Sequence, residues 1–217
     1  MTAALPAHLA AALQQATDEL QLGLTHDQQE QLLTYLAALH KWNRAYNLSG
    51  LQDPQQMLTL HVVDSLTVLP FIHAGAIADV GTGAGLPGLV LAICRPDLQF
   101  FLIDSNGKKV RFLFQTAHAL GLRNVQAIHA RAEGYAITPQ VAIVLSRAFA
   151  SLRQFVETSQ HLLAPDGRLL AMKGQYPAAE LAELPAEFSV AASHVLRVPG
   201  SAVTRHLLDI RRRRPTQ

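Results

Sequence analysis

Two hydrophobic periodicities divide the chain. Up to about residue 74, apolar positions recur at helical spacing. Leu9, Leu13, Ala16 and Leu20 mark a first helix, which Gly23 would close as a C-cap. Thr25-His-Asp-Gln28 reads as a capping box opening a second, with Leu32, Leu36, Leu39 and Tyr46 along one stripe. A third helix is expected after Asp53-Pro54, carrying Met57, Leu60, His61, Asp64, Leu66 and Leu69 to Pro70. Beyond residue 75 the pattern changes to short apolar runs at 76–80, 99–103, 124–129, 141–145 and 167–172. Helical stretches separate them at about 87–94, 107–120 and 151–163. Such alternation predicts an α/β fold built on a parallel sheet with right-handed crossovers. Two last strand-like runs, Phe188-Ser-Val190 and His206-Leu-Leu-Asp-Ile210, are joined through Pro199-Gly200 without a helix, which implies an antiparallel pair. The expected organisation is a helical extension, residues 1–74, packed as one unit with an α/β domain, residues 75–217.

The densest chemical signal lies after the first strand, in Asp79-Val-Gly-Thr-Gly-Ala-Gly-Leu-Pro-Gly88. Strand, glycine turn and helix in that order place backbone N–H groups where they face a ligand. Gly81, Gly83 and Gly85 tolerate positive φ and allow close approach to the backbone, and Pro87 suits a first helical turn. The glycines fit two frames. Gly83-Ala-Gly85-Leu-Pro-Gly88 satisfies the dinucleotide pattern, a weak signal by itself. Asp79-x-Gly81-x-Gly83-x-Gly85 looks like the first motif of Rossmann-like S-adenosylmethionine methyltransferases. A carboxylate would repel a neighbouring pyrophosphate, so Asp79 favours the methyl donor.

The ends of the other strands converge on the same sheet edge. Asp104, nineteen positions after Gly85, can accept hydrogen bonds from ribose hydroxyls or cap the helix that follows. Ala130-Arg-Ala132-Glu133 would face the adenine side, where the alternative for Glu133 is a solvated loop position. Arg147 emerges after Val141-Ala-Ile-Val-Leu145, positioned to hold a substrate phosphate, a base or a cofactor carboxylate, or to form a structural ion pair with Asp79.

Nearly half of the 217 residues are apolar, and no apolar run reaches membrane-spanning length. The N-terminus shows no secretory pattern, and the single Cys94 permits no internal disulfide, so a cytoplasmic protein is expected. Net charge is only +2, but Lys108, Lys109 and Arg111 cluster after the second strand and Arg211-Arg-Arg-Arg214 closes the chain. Cations near a cofactor turn suggest a polyanionic substrate, while the arginine run reads equally well as a solvated tail. None of the ten histidines shows metal-ligand spacing, so no metal is expected.

With these pieces the chain closely resembles the RsmG (GidB) family of small-subunit rRNA guanine-N7 methyltransferases, from about Lys41 to residue 210. The resemblance is carried by Lys41-Trp-Asn-Arg-Ala-Tyr-Asn-Leu48, His61-Val-Val-Asp-Ser65, the Asp79–Gly88 turn, Asp104-Ser105, Val110-Arg-Phe-Leu113, Ser146-Arg-Ala-Phe-Ala-Ser151 and Lys173-Gly174. It implies a class I methyltransferase fold, with five parallel strands and a terminal antiparallel hairpin making a seven-stranded sheet. It also implies methyl transfer from S-adenosylmethionine to N7 of a guanine in a decoding-centre loop of 16S rRNA, within the 30S subunit or an assembly intermediate. Cofactor contacts are implied at Gly81, Leu86, Ala132, Glu133 and Arg147, beside Gly83 and Gly85 read from the turn and Asp104 from the end of the second strand. Ser49-Gly50 and Ala132 depart from the family's usual residues.

Guanine N7 has an in-plane lone pair and no proton to lose, so no catalytic base is expected and Arg147 would position substrate. Cys94 sits in an apolar helix, as a core residue would. Ser146-Arg-Ala-Phe149 lacks the tetrapeptide typical of exocyclic-amine methylation. Lys108, Lys109, Arg111, Arg147, Lys173 and Arg205 are the expected RNA contacts, Val110, Leu113, Phe114 and Ala117 forming the opposite face of their helix. Trp42, Asn43, Arg44 and Asn47 are expected near the pocket, with structural roles for His61 and Asp64. A monomer is expected. Competing readings are a methyltransferase for a protein or small molecule and a nicotinamide oxidoreductase.

Overall fold

The computed structural model describes residues 5–73, 75–147, 149 and 151–213. Three helices lead the chain: α1 (His8–Glu19), α2 (His26–Tyr46) and α3 (Pro54–Met57), the last continued by a π-helical turn, Leu58–Val63, and by α4 (Asp64–Leu66). Then β1 (Ile77–Val80), α5 (Gly88–Cys94), β2 (Phe100–Asp104), α6 (Gly107–Ala119), β3 (Val125–His129), β4 (Val141–Ser146), α7 (Leu152–Ser159), β5 (Leu163–Lys173), α8 (Ala178–Leu181), β6 (Phe188–Arg197) and β7 (Thr204–Arg212) follow. The sheet has seven strands in the order β3-β2-β1-β4-β5-β7-β6. Strands β1 to β5 run parallel, and β7 lies antiparallel between β5 and β6. This is the expected doubly covered α/β sheet with its terminal hairpin.

Alternation along each strand decides the two faces. Ile77, Phe100, Leu102, Leu145, Leu170 and Leu207 join a core with Leu9, Leu13, Leu32, Leu36 and Leu39 of the leading helices. Their neighbours Ala78, Val80, Ile103, Val144, Leu169 and Leu208 turn to the other face and meet Leu152, Phe155 and Val156 of α7. The N-terminal helices therefore form one layer over the sheet and share its core.

The capping box forms as expected: Gln28 N donates to Thr25 Oγ1 and Thr25 N to Gln28 Oε1. Gln28 Nε2 also donates to Cys94 O at 3.0 Å, which ties the start of α2 to the end of α5. The end of α1 differs from expectation. Gln21, rather than Gly23, is the left-handed residue that closes the helix, with Leu22 N on Thr17 O and Gln21 N on Asp18 O in a Schellman pattern; Gly23 also has a positive φ but lies two residues further on. Tyr46 is half exposed rather than part of the buried stripe, its ring lying against Trp42 one turn earlier in α2. On α6, Val110, Leu113 and Ala117 are buried as expected, but Phe114 is 67% exposed and Phe112 is fully buried in its stead, packed against Tyr35 and Trp42 of α2. Helix α7 stops at Ser159, and β5 begins at Leu163, earlier than residue 167, across a register shift between Val141 and Ile143.

Strand direction also places the arginine run. Lys173 pairs with His206 and Arg168 with Arg211, so β7 ends at the sheet edge opposite the glycine turn. There Arg211 pairs with Asp209, and Arg212 lies over the Phe188 ring. Arg213 donates to Phe188 O. Arg214 lies outside the described residues.

Candidate functional site

The glycine turn is held from below by Asp79. Its Oδ2 accepts from Thr82 Oγ1 at 2.6 Å and from Gly88 N at 2.8 Å, so one carboxylate closes the turn and caps the start of α5. Asp79 is fully buried, and burial pushes its carboxyl up to about 6. Gly88 is required by contact: a Cβ there would stand 2.5 Å from Leu102 Cδ2 and 2.6 Å from Asp79 Oδ2. Gly83 is required by conformation, with φ +61, whereas a Cβ there would make only ordinary contacts, the nearest with Lys109 Nζ at 3.9 Å.

Asp104 ends β2 and bridges to that turn. Its Oδ2 accepts from Gly83 N at 2.9 Å and its Oδ1 from Asn106 N at 2.8 Å. The cap of α6 is Asn106, whose side chain accepts from Lys108 N and Lys109 N, so Asp104 does not serve as that cap. A cleft opens beside them, lined by Gly81, Asp104, Ala132, Glu133, Phe149 and Thr158 among others. Four of the expected cofactor residues thus meet in one place. Leu86 does not join them; it is buried in the core beneath the turn. Gly85 is likewise packed, its Cβ position 2.6 Å from Leu89 Cβ.

The residues present fit S-adenosylmethionine. Gly81, with no side chain, lines the cleft and lets a ligand approach the backbone. The Asp104 oxygens each accept one backbone N–H and retain lone-pair capacity for ribose hydroxyls. Asp79 Oδ1 is buried without a partner beneath the turn.

Arg147 turns into a second cleft, lined by Leu51, His61, Asp64, Arg147, Lys173 and Arg205 among others. The alternative for Arg147, a structural ion pair, is formed, but with Asp64 and not with Asp79. Arg147 Nη1 donates to Asp64 Oδ2 at 3.2 Å, and Arg205 Nε donates to both Asp64 oxygens at 3.1 and 3.2 Å. Asp64 is fully buried, and one carboxylate faces two guanidinium groups, which leaves this cleft with a surplus positive charge. His61 does not bond to Asp64: its Nδ1 lies 3.0 Å from Leu60 O, and its Nε2 has no partner. Burial, with help from the Arg147 charge, lowers the His61 imidazole to about 4. The π turn at Leu58–Val63 carries His61 and leads directly into Asp64, the kind of helix irregularity that gathers at functional sites.

The expected RNA residues separate into two groups. Lys108 and Arg111 are exposed on α6, with Lys109 half-buried nearer the glycine turn. Arg205 reaches the second cleft because β7 begins at that edge. Lys173 stands there too, but its Nζ holds Glu180 at 2.8 Å and Phe149 O at 3.2 Å. Glu180 in turn accepts from Leu152 N, so Lys173 anchors α8 and the start of α7 rather than presenting an open cation. Of the residues at the end of α2, Asn43 is buried and clasps Ser49 N and Leu51 O, shaping the loop that borders the second cleft. Trp42 packs on Phe112 of α6 instead.

Sequence reading missed Tyr35. It is fully buried, and its hydroxyl donates to Ala84 O of the glycine turn at 2.9 Å. A tyrosine one residue before Leu36 in an apolar stripe is the signal, since a buried phenol needs a partner. Glu180 and Phe149 gave no comparable signal.

The family described as GidB, rRNA small subunit methyltransferase G, matches residues 28–208. The chain is 48% identical over 202 residues to the ribosomal RNA small subunit methyltransferase G of Ectopseudomonas mendocina, covering 92% of this chain and 94% of that protein. It is 47% identical to the protein of the same name from Pseudomonas aeruginosa, covering 94% and 96%. Among solved structures it resembles a SAM-dependent methyltransferase from Aquifex aeolicus, with TM-score 0.56 and 18% identity over 76% of this chain and 96% of that one. That likeness shows the class I methyltransferase fold. On the family match and the two relatives, the chain belongs to the rRNA small subunit methyltransferase G family.

Proposed function

We propose that the protein methylates N7 of a guanine in a decoding-centre loop of 16S rRNA, acting as a monomer in the cytoplasm on the 30S subunit or an assembly intermediate. The observation that supports this most is the pair of adjoining clefts at the C-terminal edge of the parallel strands. One carries the nucleoside-binding groups Asp104 and the glycine turn, and the other a surplus cation. Bound in the first cleft, S-adenosylmethionine would supply an electrophilic methyl group, whose carbon the N7 lone pair takes while the C–S bonding pair stays with sulfur.

The chain's own residues bind and orient. Asp104 and the Gly81–Gly83 backbone would hold the ribose and amino-acid ends, and Ala132, Phe149 and Glu133 would border the adenine. The nucleophile has no proton to lose, and this reading needs no group to remove one. Arg147 and Arg205, fixed by Asp64, would hold the extruded nucleotide, and Lys108, Lys109 and Arg111 would meet flanking phosphates. N7 must stay open for attack, so neither guanidinium grips the O6/N7 edge in the bidentate way common in duplex readout.

The test is incubation with radiolabelled S-adenosylmethionine and 30S subunits, or naked 16S rRNA, from a strain lacking this gene. Label mapped as 7-methylguanine by borohydride–aniline cleavage is the expected result. Labelling of neither substrate by a cofactor-binding protein would overturn the assignment.

A further inference from the structure

His61 is the acceptor that the second cleft holds ready. Of the polar side chains that line it, Arg147, Lys173 and Arg205 can only donate. Asp64 is the other acceptor, but it is 0% exposed and its oxygens are bonded by the two guanidinium groups that stand over it. His61 remains. Its Nδ1 lies 3.0 Å from Leu60 O, and a carbonyl can only accept, so Nδ1 carries the ring proton. The same carbonyl also takes Arg147 Nη1 at 3.3 Å, which holds that side of the ring in place. Nε2 is then a bare lone pair, buried and without a partner, in a residue 9% exposed.

The chemistry of the proposed substrate makes that lone pair useful. A purine that turns N7 toward the cofactor cleft turns its N1–C2 edge away from it. On guanine that edge carries two adjacent donors, N1–H and the exocyclic amine. On adenine it carries an unprotonated N1, whose lone pair would oppose that of His61. We infer that His61 is a specificity-determining residue of the target-base pocket, its Nε2 accepting a hydrogen bond from the N1–H or N2 amine of guanine. This rests on the guanine-N7 reading above and adds to it the group that selects the base. Nε2 is closed to water in this conformation, so the bond forms with a shift of the lining as the base enters. The unmet acceptor favours that shift, because a buried polar atom without a partner is costly until it gains one.

The test crosses two changes, one in the protein and one in the base. Wild type, His61→Phe and His61→Gln are assayed on 30S subunits reconstituted with 16S rRNA that carries guanine, inosine or 2-aminopurine at the methylated position. Inosine lacks the amine, and 2-aminopurine lacks N1–H. Wild type is expected to lose about 5- to 150-fold in kcat/KM on the analogue missing the donor that His61 uses. His61→Phe is expected to lose a similar factor on guanine and then to treat that analogue and guanine alike. His61→Gln, whose amide oxygen can accept, is expected to recover part of the discrimination. Thermal midpoint and affinity for S-adenosylhomocysteine, measured on each variant, identify any that has simply misfolded.

Full guanine activity in His61→Phe would overturn the inference and leave the function standing. An equal loss on all three bases would overturn it too, by showing a structural role alone. A wild-type enzyme that does not form 7-methylguanine would instead remove the reading on which it rests.

Discussion

Tyr35 in helix α2 and Ala84 in the glycine turn, 49 residues apart, are joined by a hydrogen bond of 2.9 Å inside the core. Through it the N-terminal helical layer braces the cofactor turn from the side opposite the cleft. Burial pushes the Tyr35 hydroxyl well above the usual phenol range, so it donates at every working pH. Tyr35→Phe leaves the Ala84 carbonyl without this partner, at a cost of about 1–3 kcal/mol. The expected outcome is a lower unfolding midpoint in urea and weaker S-adenosylhomocysteine binding, both measured on the same preparation.

Asp104 receives two backbone N–H groups, one from the glycine turn and one from the loop between β2 and α6. Asp104→Asn replaces one acceptor oxygen by a donor that faces an N–H. Hydrogen bonds to a charged group contribute about 1.5–3 kcal/mol, so cofactor affinity should fall by roughly 10- to 100-fold. Isothermal titration with S-adenosylhomocysteine reads this directly.

Two glycines of the same turn should respond differently to alanine. At Gly88 the added Cβ meets Leu102 and Asp79 below 3 Å, so Gly88→Ala should fold poorly. At Gly83 there is room, and the left-handed backbone costs about 1–2 kcal/mol. Gly83→Ala should therefore fold, with a modest drop in thermal midpoint, yet bind cofactor weakly because strain at Gly83 shifts the N–H that Asp104 holds. Calorimetry alongside the titration separates the two effects.

Asp64 binds Arg147 and Arg205 from a fully buried position, while the arginine side chains stay 23% exposed. Removing the shared anion leaves two partly buried cations facing each other. Breaking a fully buried pair costs about 3–5 kcal/mol, and solvent access at the arginines places Asp64→Asn at or below the lower end. Methyl transfer to 30S subunits should fall far more than affinity for S-adenosylhomocysteine, since Asp64, Arg147 and Arg205 line the second cleft and not the cofactor cleft.

Asp79 and His61 give opposing pH dependence. Asp79 is raised from 3.8 to about 6, so below pH 6 the folded state holds a proton that the unfolded chain releases. Its contribution is present below about pH 4 and is lost as pH rises through 6. His61 is lowered from 6.5 to about 4, so the unfolded chain takes up the proton first on acidification. Its contribution is present above pH 6.5 and is lost as pH falls toward 4. Each shift corresponds to something on the order of 3 kcal/mol, and the two largely offset each other between pH 4 and 6. Urea unfolding at pH 4.5 and 7 should show Asp79→Asn losing more stability on acidification than wild type. His61→Gln should lose less. Parallel pH profiles in all three proteins would contradict both assignments.

What the sequence determined by itself was local. The Thr25–Gln28 box, the glycine turn with Asp79 beneath it, Asp104 at the end of β2 and the terminal hairpin all depend on residues a few positions apart or on one strand's length. Backbone hydrogen bonding and side-chain periodicity act over that range, so the pattern of residues is enough. Partners across the fold were another matter. Arg147 finds Asp64, 83 residues away, and not Asp79, because a π turn carries Asp64 to the end of β4. Arg205 joins them across 141 residues because β7 runs antiparallel to β5, and that same direction carries Arg211 to the far edge. Lys173 goes to Glu180, and Phe112 rather than Phe114 is buried, because α8 and α2 pack where they do. Charge and hydrophobicity are legible in a chain, but the partner of a charge is chosen by sheet register and helix packing.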